Sequence, residues 1–414
     1  MANITELFVN YLFSKSENIT SEIINKSKSC KKDYMAVAFA GAKKNKKHWQ
    51  KMVQKMPIGN AALFGYEIKT DGKTAALING FNAHSLELDD GQRFAMIHLG
   101  ASIISAINAA HDEFGFTDES YLKGIVMGYE AACRIAISMQ PSHKKHGYHT
   151  AGTCGTIGSA IGVAFALGMD RQQLKRVLTL ASGSSAGMLE IQEQGSELKP
   201  YNVGRASMDG LTAAYVGWTD YIFPDDILGG NRGFFKIFAD SCDVPKLIEN
   251  TDYFEIERIY VKTYASCRHS HSAVEAAIKI HDEIDSNEIE SILVETYQLG
   301  VKGHDHTHIQ GIASAKLSTP YAVAAALLFG KADLSVFEPL NEAAIKFAQK
   351  VQVVELPALT AECPNKRIAI VTVSTKKGKK IQKRVDYAKG EPENPVTEHE
   401  LNLKINMLNH FYGE

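Results

Sequence analysis

Apolar residues recur at helical spacing through roughly the first 250 residues of the chain. The first predicted helix carries an apolar stripe made of Leu7, Phe8, Tyr11 and Leu12. Apolar residues within 35–40 form a similar stripe on the second predicted helix. Side chains three and four residues apart share one face of an α-helix, so both segments are typical of helices that pack on a core. The sequence therefore predicts an all-helical domain over residues 1–253.

Glycines line one face of the helix predicted over residues 149–169. Gly155, Gly158 and Gly162 lie three and four residues apart. Their face is nearly bare backbone, which suits close packing in a tight bundle and, in our interpretation, a homodimer formed by the helical domain. A dinucleotide loop is not indicated, because that motif needs a strand, then GxGxxG, then a helix.

The pattern changes near residue 254 and predicts an α/β domain over residues 254–392. The segments FEIERIYVKTY and IESILVETYQL alternate apolar and polar residues as strands do, and SHSAVEAAIKIHDEI between them is helical in period. Helices are predicted at 313–330 and 339–349, and strands at VQVVEL, RIAIVTVST and KKIQKRVDY. GEPENP reads as a linker. A last helix at 397–411 is expected to return residues 393–414 to the helical domain.

Composition excludes some classes of protein. The chain has 414 residues, of which 45 are Lys or Arg and 47 are Asp or Glu, giving a net charge of −2. This balance argues against a nucleic-acid binder. The six cysteines form no CxxC pair, so we interpret them as reduced thiols of a cytoplasmic protein. No apolar run approaches the ~18 residues of a membrane span.

Titratable residues crowd into residues 79–100, NGFNAHSLELDDGQRFAMIHLG. This stretch contains His84, Glu87, Asp89, Asp90, Arg93 and His98 between apolar helical flanks. Such groups are costly to bury unpaired, which favours a site for proton chemistry. The alternative is a helix end whose Asp and Arg residues cap neighbouring elements.

Two further segments place reactive side chains at predicted helix starts. His149 follows His143 and His146 and opens the glycine-lined helix, where backbone N–H groups favour an anion. Lys199 lies in a polar loop between two helices, where a cation suits a carboxylate. The alternatives are an exposed basic loop and an ordinary surface lysine.

A strand-to-helix corner gathers a third group, comprising Lys262, Cys267, Arg268, His269 and His271. A helix start adds partial positive charge there. Cys267 lacks the Cys/His/Asn pattern of a nucleophile, so a contact role is favoured. The run HDHTH at 304–308 resembles metal ligands, but its flanking glycines indicate a loop, and no metal or organic cofactor is predicted.

Together these segments resemble the MmgE/PrpD family. NGFNAHSLELDDGQRFAMIHLG, YHTAGTCGTIGSAIGVAFALGMD, LKPYNVGRASMDGLTAA, KTYASCRHSHSAVEAA and AKLSTPYAVAAALLFG occur in the family's order and cover nearly the whole chain. The resemblance implies an all-helical domain built from both chain ends, an inserted α/β lid, a homodimer, and a metal-free and cofactor-free active site in the cleft between the domains.

The resemblance also implies the site residues. His98, His149 and Lys262 match catalytic positions, and the substrate-binding candidates are Glu87, Arg93, Lys199, Cys267, Arg268, His271 and Tyr321. Decarboxylase-like members carry Asp at Glu87, Thr at Gly91 and His at Cys267, and His-Pro replaces His98-Leu99. These departures argue against cis-aconitate decarboxylation.

Three hypotheses follow. The first is a dehydratase-like lyase that acts on a small di- or tricarboxylate by proton chemistry next to a carboxylate. The second is an epimerase or isomerase of a dicarboxylate such as iminodisuccinate, which returns the proton without loss of water. The third is an inactive carboxylate-binding relative, against which the joint presence of His98, His149, Lys199 and Lys262 argues.

Overall fold

A computed structural model describes residues 3–412, which form two compact units. The first contains residues up to Ile191, Leu198–Ile259 and the residues from Leu408 onward; the second contains Gln192–Glu197 and Tyr260–Met407. The sequence placed this boundary near residue 254 and returned all of 393–414 to the helical domain. The structure moves the boundary to 259/260 and leaves residues 393–407 in the second unit.

The first unit is almost entirely helical. Its helices are α1 (Ile4–Ser16), α2 (Ser21–Val53), α3 (Gly72–His84), α4 (Gly100–Phe114), α5 (Asp118–Met139), α6 (Ser142–Lys145), α7 (Thr150–Ala166), α8 (Arg171–Ser184), α9 (Lys199–Gly217), α10 (Phe234–Phe238) and α11 (Val244–Ile248). The short strands β1 (Ile58–Ala62), β2 (Lys69–Thr70) and β3 (Gly91–Gln92) were not predicted from the sequence. β4 (Ile259–Tyr260, at the boundary) lies within the predicted strand FEIERIYVKTY.

Side-chain caps fix where several helices begin. Asp71 accepts hydrogen bonds from the backbone N–H groups of Lys73 and Thr74, and so begins α3. Asp170 and Gln173 form a reciprocal capping box at the start of α8. These contacts satisfy backbone donors that have no partner within the helix.

Helix α7 lies inside the first unit, and all its residues are buried. A Cβ atom at Gly124 of α5 would lie 2.6 Å from the Gly162 carbonyl oxygen, and one at Gly158 would lie 2.8 Å from the Gly128 carbonyl oxygen. Only glycine permits this approach of two backbones. The tight bundle predicted from the glycine spacing is confirmed. This face of α7 packs on α5, so it is not available for contact with a second copy of the chain.

The second unit is the α+β part of the chain. It contains α12 (His271–His281), β5 (Ile289–Thr296), α13 (Gln298–Val301), α14 (Ile312–Leu317), α15 (Thr319–Phe329), α16 (Glu342–Ala348), β6 (Val351–Glu355), α17 (Pro357–Glu362), β7 (Ala369–Thr375), β8 (Lys380–Val385) and most of α18 (Glu398–Phe411). The four-stranded sheet has the order β6-β5-β7-β8. β5 runs parallel to β6 and antiparallel to β7, which is antiparallel to β8.

The predicted fold class, mainly helical with an α+β part, is confirmed. Three local expectations were wrong. FEIERIYVKTY is a 3-10 helix over Glu255–Arg258 followed by the two residues of β4. The helix predicted at 313–330 is broken at Ser318, whose side chain caps α15. GEPENP is no plain linker, because Glu391 is buried in an ion pair with Arg268.

None of the helices within residues 3–412 is long and apolar enough to cross a membrane.

Candidate active site

The titratable stretch is a buried connection between α3 and α4. Glu87 has a φ angle of 56° there, in the left-handed region that residues with a Cβ atom rarely adopt. Strain of this kind persists only where the surrounding structure imposes it, and it occurs often at functional sites. The turn brings Glu87 to Lys199, the first residue of α9, and the two form an ion pair. The side chains of this pair are only 11% and 13% exposed.

His98 is held through its Nδ1 atom. This nitrogen lies 2.8 Å from the carbonyl oxygen of Asp90, which can only accept a hydrogen bond. Nδ1 therefore carries the hydrogen, and in the neutral ring Nε2 keeps its lone pair. The side chain is 16% exposed. Neutral His98 thus has the tautomer of a general base.

His149 has the opposite tautomer. The Asn202 Nδ2 amide lies 3.2 Å from His149 Nδ1 and 3.2 Å from the carbonyl oxygen of Met188. The Met188 oxygen can only accept, so this Asn202 atom is the NH₂ group and donates to His149 Nδ1 as well. The neutral His149 ring then carries its hydrogen on Nε2. His149 is therefore a hydrogen-bond donor.

Electrostatics keep His149 neutral. Burial lowers its pKa well below the usual value of histidine, and the positive charge of Lys199 lowers it further, followed by the neighbouring His84 and His98. Glu87 acts in the opposite direction. These influences also show that Glu87, His98, His149 and Lys199 form one cluster in the first unit. Four of the residues predicted from the sequence therefore lie together.

His84 and Asp89 lie in the same cluster. His84, the last residue of α3, has its Nδ1 atom 2.7 Å from Asp89 Oδ2. The His84 ring centroid is 4.9 Å from that of His98 and 6.0 Å from that of His149. Both His84 and Asp89 are buried. The cluster thus contains three imidazoles.

Asp90 caps α4 from within the core. Its carboxylate accepts from the Gly100 N–H at 2.8 Å and from the Tyr129 hydroxyl at 2.6 Å. Burial raises the pKa of Asp90 from 3.8 to about 6, and the hydrogen bonds from Tyr129 and Gly100 offset only part of this rise. Asp90 therefore titrates near neutral pH in the folded protein.

We expect Asp90→Asn to remove part of the pH dependence of stability. Between pH 3.8 and about 6 the folded state holds a proton that the unfolded chain has lost, so stability falls as pH rises through this range. The shift corresponds to about 2–3 kcal/mol. An asparagine keeps an acceptor for Gly100 and a polar group for Tyr129. Urea unfolding should show that the free energy of unfolding of the variant, relative to wild type, is higher at pH 7 than at pH 4.5. The same difference in free energy at both pH values would contradict this.

The second unit holds Lys262 and Cys267. Lys262 is fully buried. Burial lowers the pKa of His271, and the charges of Arg268 and then Lys262 lower it further. The Cys267 thiol lies 3.8 Å from His304 Nε2, and His304 Nδ1 lies 2.9 Å from the Leu317 carbonyl oxygen. The carbonyl fixes the hydrogen of His304 on Nδ1, so Nε2 accepts from the thiol. Cys267 is half-buried, and its contact role stays a prediction.

Three other predicted substrate-binding residues are engaged within the second unit. Arg268 donates to Glu391 at 3.1 Å and to His271 Nδ1 at 2.9 Å. His271 is fully buried, and its Nε2 lies 3.2 Å from the Ser266 carbonyl oxygen. The Tyr321 hydroxyl donates to the Val336 carbonyl oxygen at 2.7 Å. These contacts hold the three side chains in place, and their role in substrate binding stays a prediction.

Arg93, His143 and His146 differ in their surroundings. Arg93 is buried with its guanidinium 4.8 Å from the ring centroid of Phe94. His143 is buried between the Phe238 carbonyl and the Thr153 hydroxyl, and burial lowers its pKa to about 4. His146 is exposed and pairs with Asp240. The alternative of an exposed basic loop is therefore wrong for His143.

Metal-ligand geometry arises away from HDHTH. His304 and His306 of that run lie within hydrogen-bond distance of backbone carbonyls in a loop, as the glycines predicted. Within residues 3–412, the group spaced closely enough to hold an ion is His84, Asp89 and His98, whose ligand atoms lie within 4.8 Å of one another.

Sequence reasoning missed three members of the cluster. His84 and Asp89 stood in the titratable stretch, but nothing distinguished them from Asp90 or Arg93. Asn202 follows Lys199 by one helical turn, and this spacing was the available signal that it shares a face with Lys199.

Comparison with known proteins agrees with this arrangement of segments. The family model described as "MmgE/PrpD N-terminal domain" matches residues 9–246. The model described as "MmgE/PrpD C-terminal domain" matches residues 264–414. The chain belongs to the MmgE/PrpD family. The resemblance seen in the sequence is thereby confirmed.

Individual relatives of this family member are distant. Cis-aconitate decarboxylase of Aspergillus terreus (strain NIH 2624 / FGSC A1156) is 24% identical over 64% of this chain and 57% of that protein. The Mus musculus cis-aconitate decarboxylase is 22% identical over 98% of this chain and 86% of that protein. The Homo sapiens cis-aconitate decarboxylase is 21% identical over 69% of this chain and 61% of that protein. The chain thus spans little more than half the length of the Aspergillus relative.

Proposed function

We propose that this protein is a cofactor-independent, dehydratase-like lyase that acts on a small di- or tricarboxylate. The observation that carries the proposal is the pair of opposite tautomers in one buried cluster: His98 with a free Nε2 lone pair and His149 with an Nε2–H group. Proton chemistry next to a carboxylate needs a base for carbon and a donor for the enolate oxygen.

The chemistry assigns one role to each imidazole. His98 Nε2 removes the proton from the carbon next to a substrate carboxylate, and the C–H electrons move into the carboxylate to form an enolate. The Nε2–H of neutral His149 donates to the enolate oxygen, a use of histidine that requires a depressed pKa. The proton on His98 then protonates the departing hydroxyl, and water leaves as the C=C bond forms.

Lys199 supplies binding charge. Its ammonium group is paired with Glu87, and a substrate carboxylate competes with Glu87 for this charge. The position of Lys199 beside His149 suits this role, because the same charge that binds a carboxylate also stabilises the enolate. Lys262, the buried lysine of the second unit, is retained as a catalytic candidate on the family resemblance, with Cys267 as a contact residue.

The alternative activity within the family is epimerisation. An epimerase returns a proton to the opposite face of the carbon and therefore needs a second group that gives up a proton. Neutral His149 is a weak proton donor, which supports the lyase over the epimerase. Glu87, Gly91 and Cys267, the departures from decarboxylase-like members, favour dehydration over loss of CO₂.

The experiment is an NMR assay in deuterated water with a panel of citrate-like, aconitate-like and aspartate-derived acids. We expect loss or addition of water, with deuterium entering next to a carboxylate. Exchange or inversion without loss of water would establish the epimerase instead, and release of CO₂ the decarboxylase. If the protein binds these acids but exchanges no proton in any of them, it is an inactive carboxylate-binding relative.

We expect Lys199→Met to raise KM by about 10- to 100-fold, because the lost charge contacts a substrate carboxylate, and also to lower kcat. Lys199→Arg keeps the charge and should lie between wild type and the methionine variant. Lys262→Met tests the second unit's lysine in the same assay. Steady-state kinetics on the acid found above gives the values; unchanged KM and kcat in Lys199→Met would contradict the assignment.

The homodimer and the cytoplasmic location remain proposals. The family resemblance supports the dimer, which light scattering tests. Large exposed apolar side chains such as Phe114, Tyr221 and Ile222 lie on the first unit. The free state of the six cysteines supports a reducing compartment.

A further inference from the structure

We propose that Asp89 is a positioning residue, which holds His98 as the base and stabilises its protonated form, and that His84 fixes Asp89 from behind. This inference rests on the proposed function, because it assigns the groups that support the base. It concerns two side chains, His84 and Asp89, to which the mechanism above gives no role.

A single carboxylate oxygen of Asp89 contacts both imidazoles. Asp89 Oδ2 lies 2.7 Å from His84 Nδ1 and 3.4 Å from His98 Nδ1. The His84 side chain is 0% exposed and that of Asp89 4%, so little water screens these contacts. An ionised carboxylate only accepts hydrogen bonds, so the short contact places the hydrogen of His84 on Nδ1.

His98 Nδ1–H therefore lies between two acceptors, the Asp90 carbonyl at 2.8 Å and Asp89 Oδ2 at 3.4 Å. Together they orient the ring and leave Nε2 as the working atom. When His98 takes up a proton, the new positive charge lies beside the Asp89 carboxylate, which lowers the free energy of the imidazolium. A carboxylate behind a catalytic histidine acts in this way in hydrolases.

His84 supports Asp89 and does not reach the reacting atoms. Its Nε2 is buried without a hydrogen-bond partner in the structure and has under 1 Å² of exposed surface. A substrate group of water size cannot touch this atom in the present conformation. The function of His84 thus passes through the Nδ1 contact to Asp89.

A divalent ion bound by His84, Asp89 and His98 is the competing interpretation, because their ligand atoms are close enough. The ring atoms next to Asp89 Oδ2 are the Nδ1 atoms of His84 and His98, so an ion at this point would require the Nδ1 lone pair of each ring. His98 Nδ1 faces the Asp90 carbonyl and His84 Nδ1 faces Asp89 Oδ2, both acceptors, so these nitrogens carry hydrogens. The contacts therefore favour protons over a metal ion.

Several titratable groups lie around His98. Asp89 and Asp90 come from its own connection, His84 from α3 and His149 from α7, and Lys199 of α9 acts on His149 in the same cluster. A substitution that removes only the Asp89 charge leaves the others in place. The pKa of His98 should then fall, because a negative neighbour that favours the protonated ring is gone.

The test is Asp89→Asn. We expect kcat to fall about 10- to 100-fold and the acidic limb of the kcat/KM profile to move to lower pH. NMR titration of ¹⁵N-labelled histidine should show the same fall in the pKa of His98, without reference to turnover. A merely structural Asp89 would lower activity without moving either curve, and that outcome would overturn the proposal.

Two His84 variants distinguish loss of the Nδ1–H donor from loss of the imidazole ring itself. His84→Asn retains an amide N–H near the Nδ1 position and should stay within a few-fold of wild type; His84→Leu removes the donor and should resemble Asp89→Asn. Equal behaviour of the two, with the fold intact by circular dichroism, would overturn the role of His84. Stoichiometric metal in wild type that is lost in Asp89→Asn would establish the ion instead. If no acid reacts but the NMR shift of His98 appears, the proposed function fails while the geometry stands.

Discussion

Replacing His98 with asparagine is expected to lower kcat by about 10²–10⁴, the usual contribution of a general base. The asparagine amide can still donate to the Asp90 carbonyl, as His98 Nδ1 does at 2.8 Å, but nothing replaces the Nε2 lone pair. Deuterium exchange next to the substrate carboxylate should fall in parallel, because both measurements depend on removal of the same proton.

A matched control is His146→Asn. His146 is an exposed histidine of the same unit, and its ring pairs with Asp240 on the surface. This variant should leave both kcat and exchange unchanged. If His98→Asn retains exchange within a few-fold of wild type while its fold is intact by circular dichroism, His98 is not the base.

Helix packing was readable from the sequence because it depends on local spacing. Gly158 and Gly162 predicted a bare helix face, and the structure packs that face on Gly124 and Gly128 of α5. The spacing could not say which helix fills the face. That choice depends on contacts between distant residues, so the argument for a dimer built on this face was wrong.

The strand predicted at FEIERIYVKTY shows where alternation misleads. The alternation predicts that Glu255 is an exposed polar residue, but Glu255 is fully buried. It accepts hydrogen bonds from Gln92 at 2.7 Å and from Arg258 at 3.2 Å, and its N–H donates to Glu130. These polar partners allow a charged residue inside the core, and two of them, Gln92 and Glu130, come from distant parts of the chain that a window of sequence does not contain.

The candidate site was predictable in part for a similar reason. Residue types identified Glu87, His98, His149 and Lys199 as groups able to move protons or bind carboxylates. The assignment of base and donor depends instead on which atom faces each ring nitrogen. The Asp90 carbonyl and the Asn202 amide determine this, and neither contact follows from spacing along the chain.

The two tautomers also explain why one cluster can serve both steps of an elimination. Two identical imidazoles in a common field would compete for the same proton. Here Asp90 and Asp89 lie at Nδ1 of His98, whereas the Asn202 amide and Lys199 lie near His149. The Asp89 carboxylate stabilises a positive charge on His98, whereas burial and Lys199 lower the pKa of His149, and this difference separates the two roles.

His149 provides the second large effect. His149→Ala should lower kcat by about 10²–10³, the usual cost of one lost donor to an enolate or oxyanion. His149→Gln places an amide N–H near the position of Nε2–H, so a hydrogen-bond donor role predicts recovery of about tenfold over alanine, whereas a proton-transfer role predicts none. Steady-state kcat for the two variants, measured with the acid identified by NMR, separates these roles.

The tautomer itself is tested by Asn202→Asp. A carboxylate at this position accepts a hydrogen bond where the Asn202 amide donates, 3.2 Å from His149 Nδ1. It should draw the hydrogen of His149 onto Nδ1 and leave Nε2 as an acceptor, which repels the enolate oxygen. We expect Asn202→Asp to lose as much kcat as His149→Ala, and ¹⁵N NMR of the His149 ring to show the changed protonation. Because neither variant alters His98, deuterium exchange should persist at a reduced rate in both. Wild-type turnover in Asn202→Asp would mean that His149 does not act through its Nε2–H group.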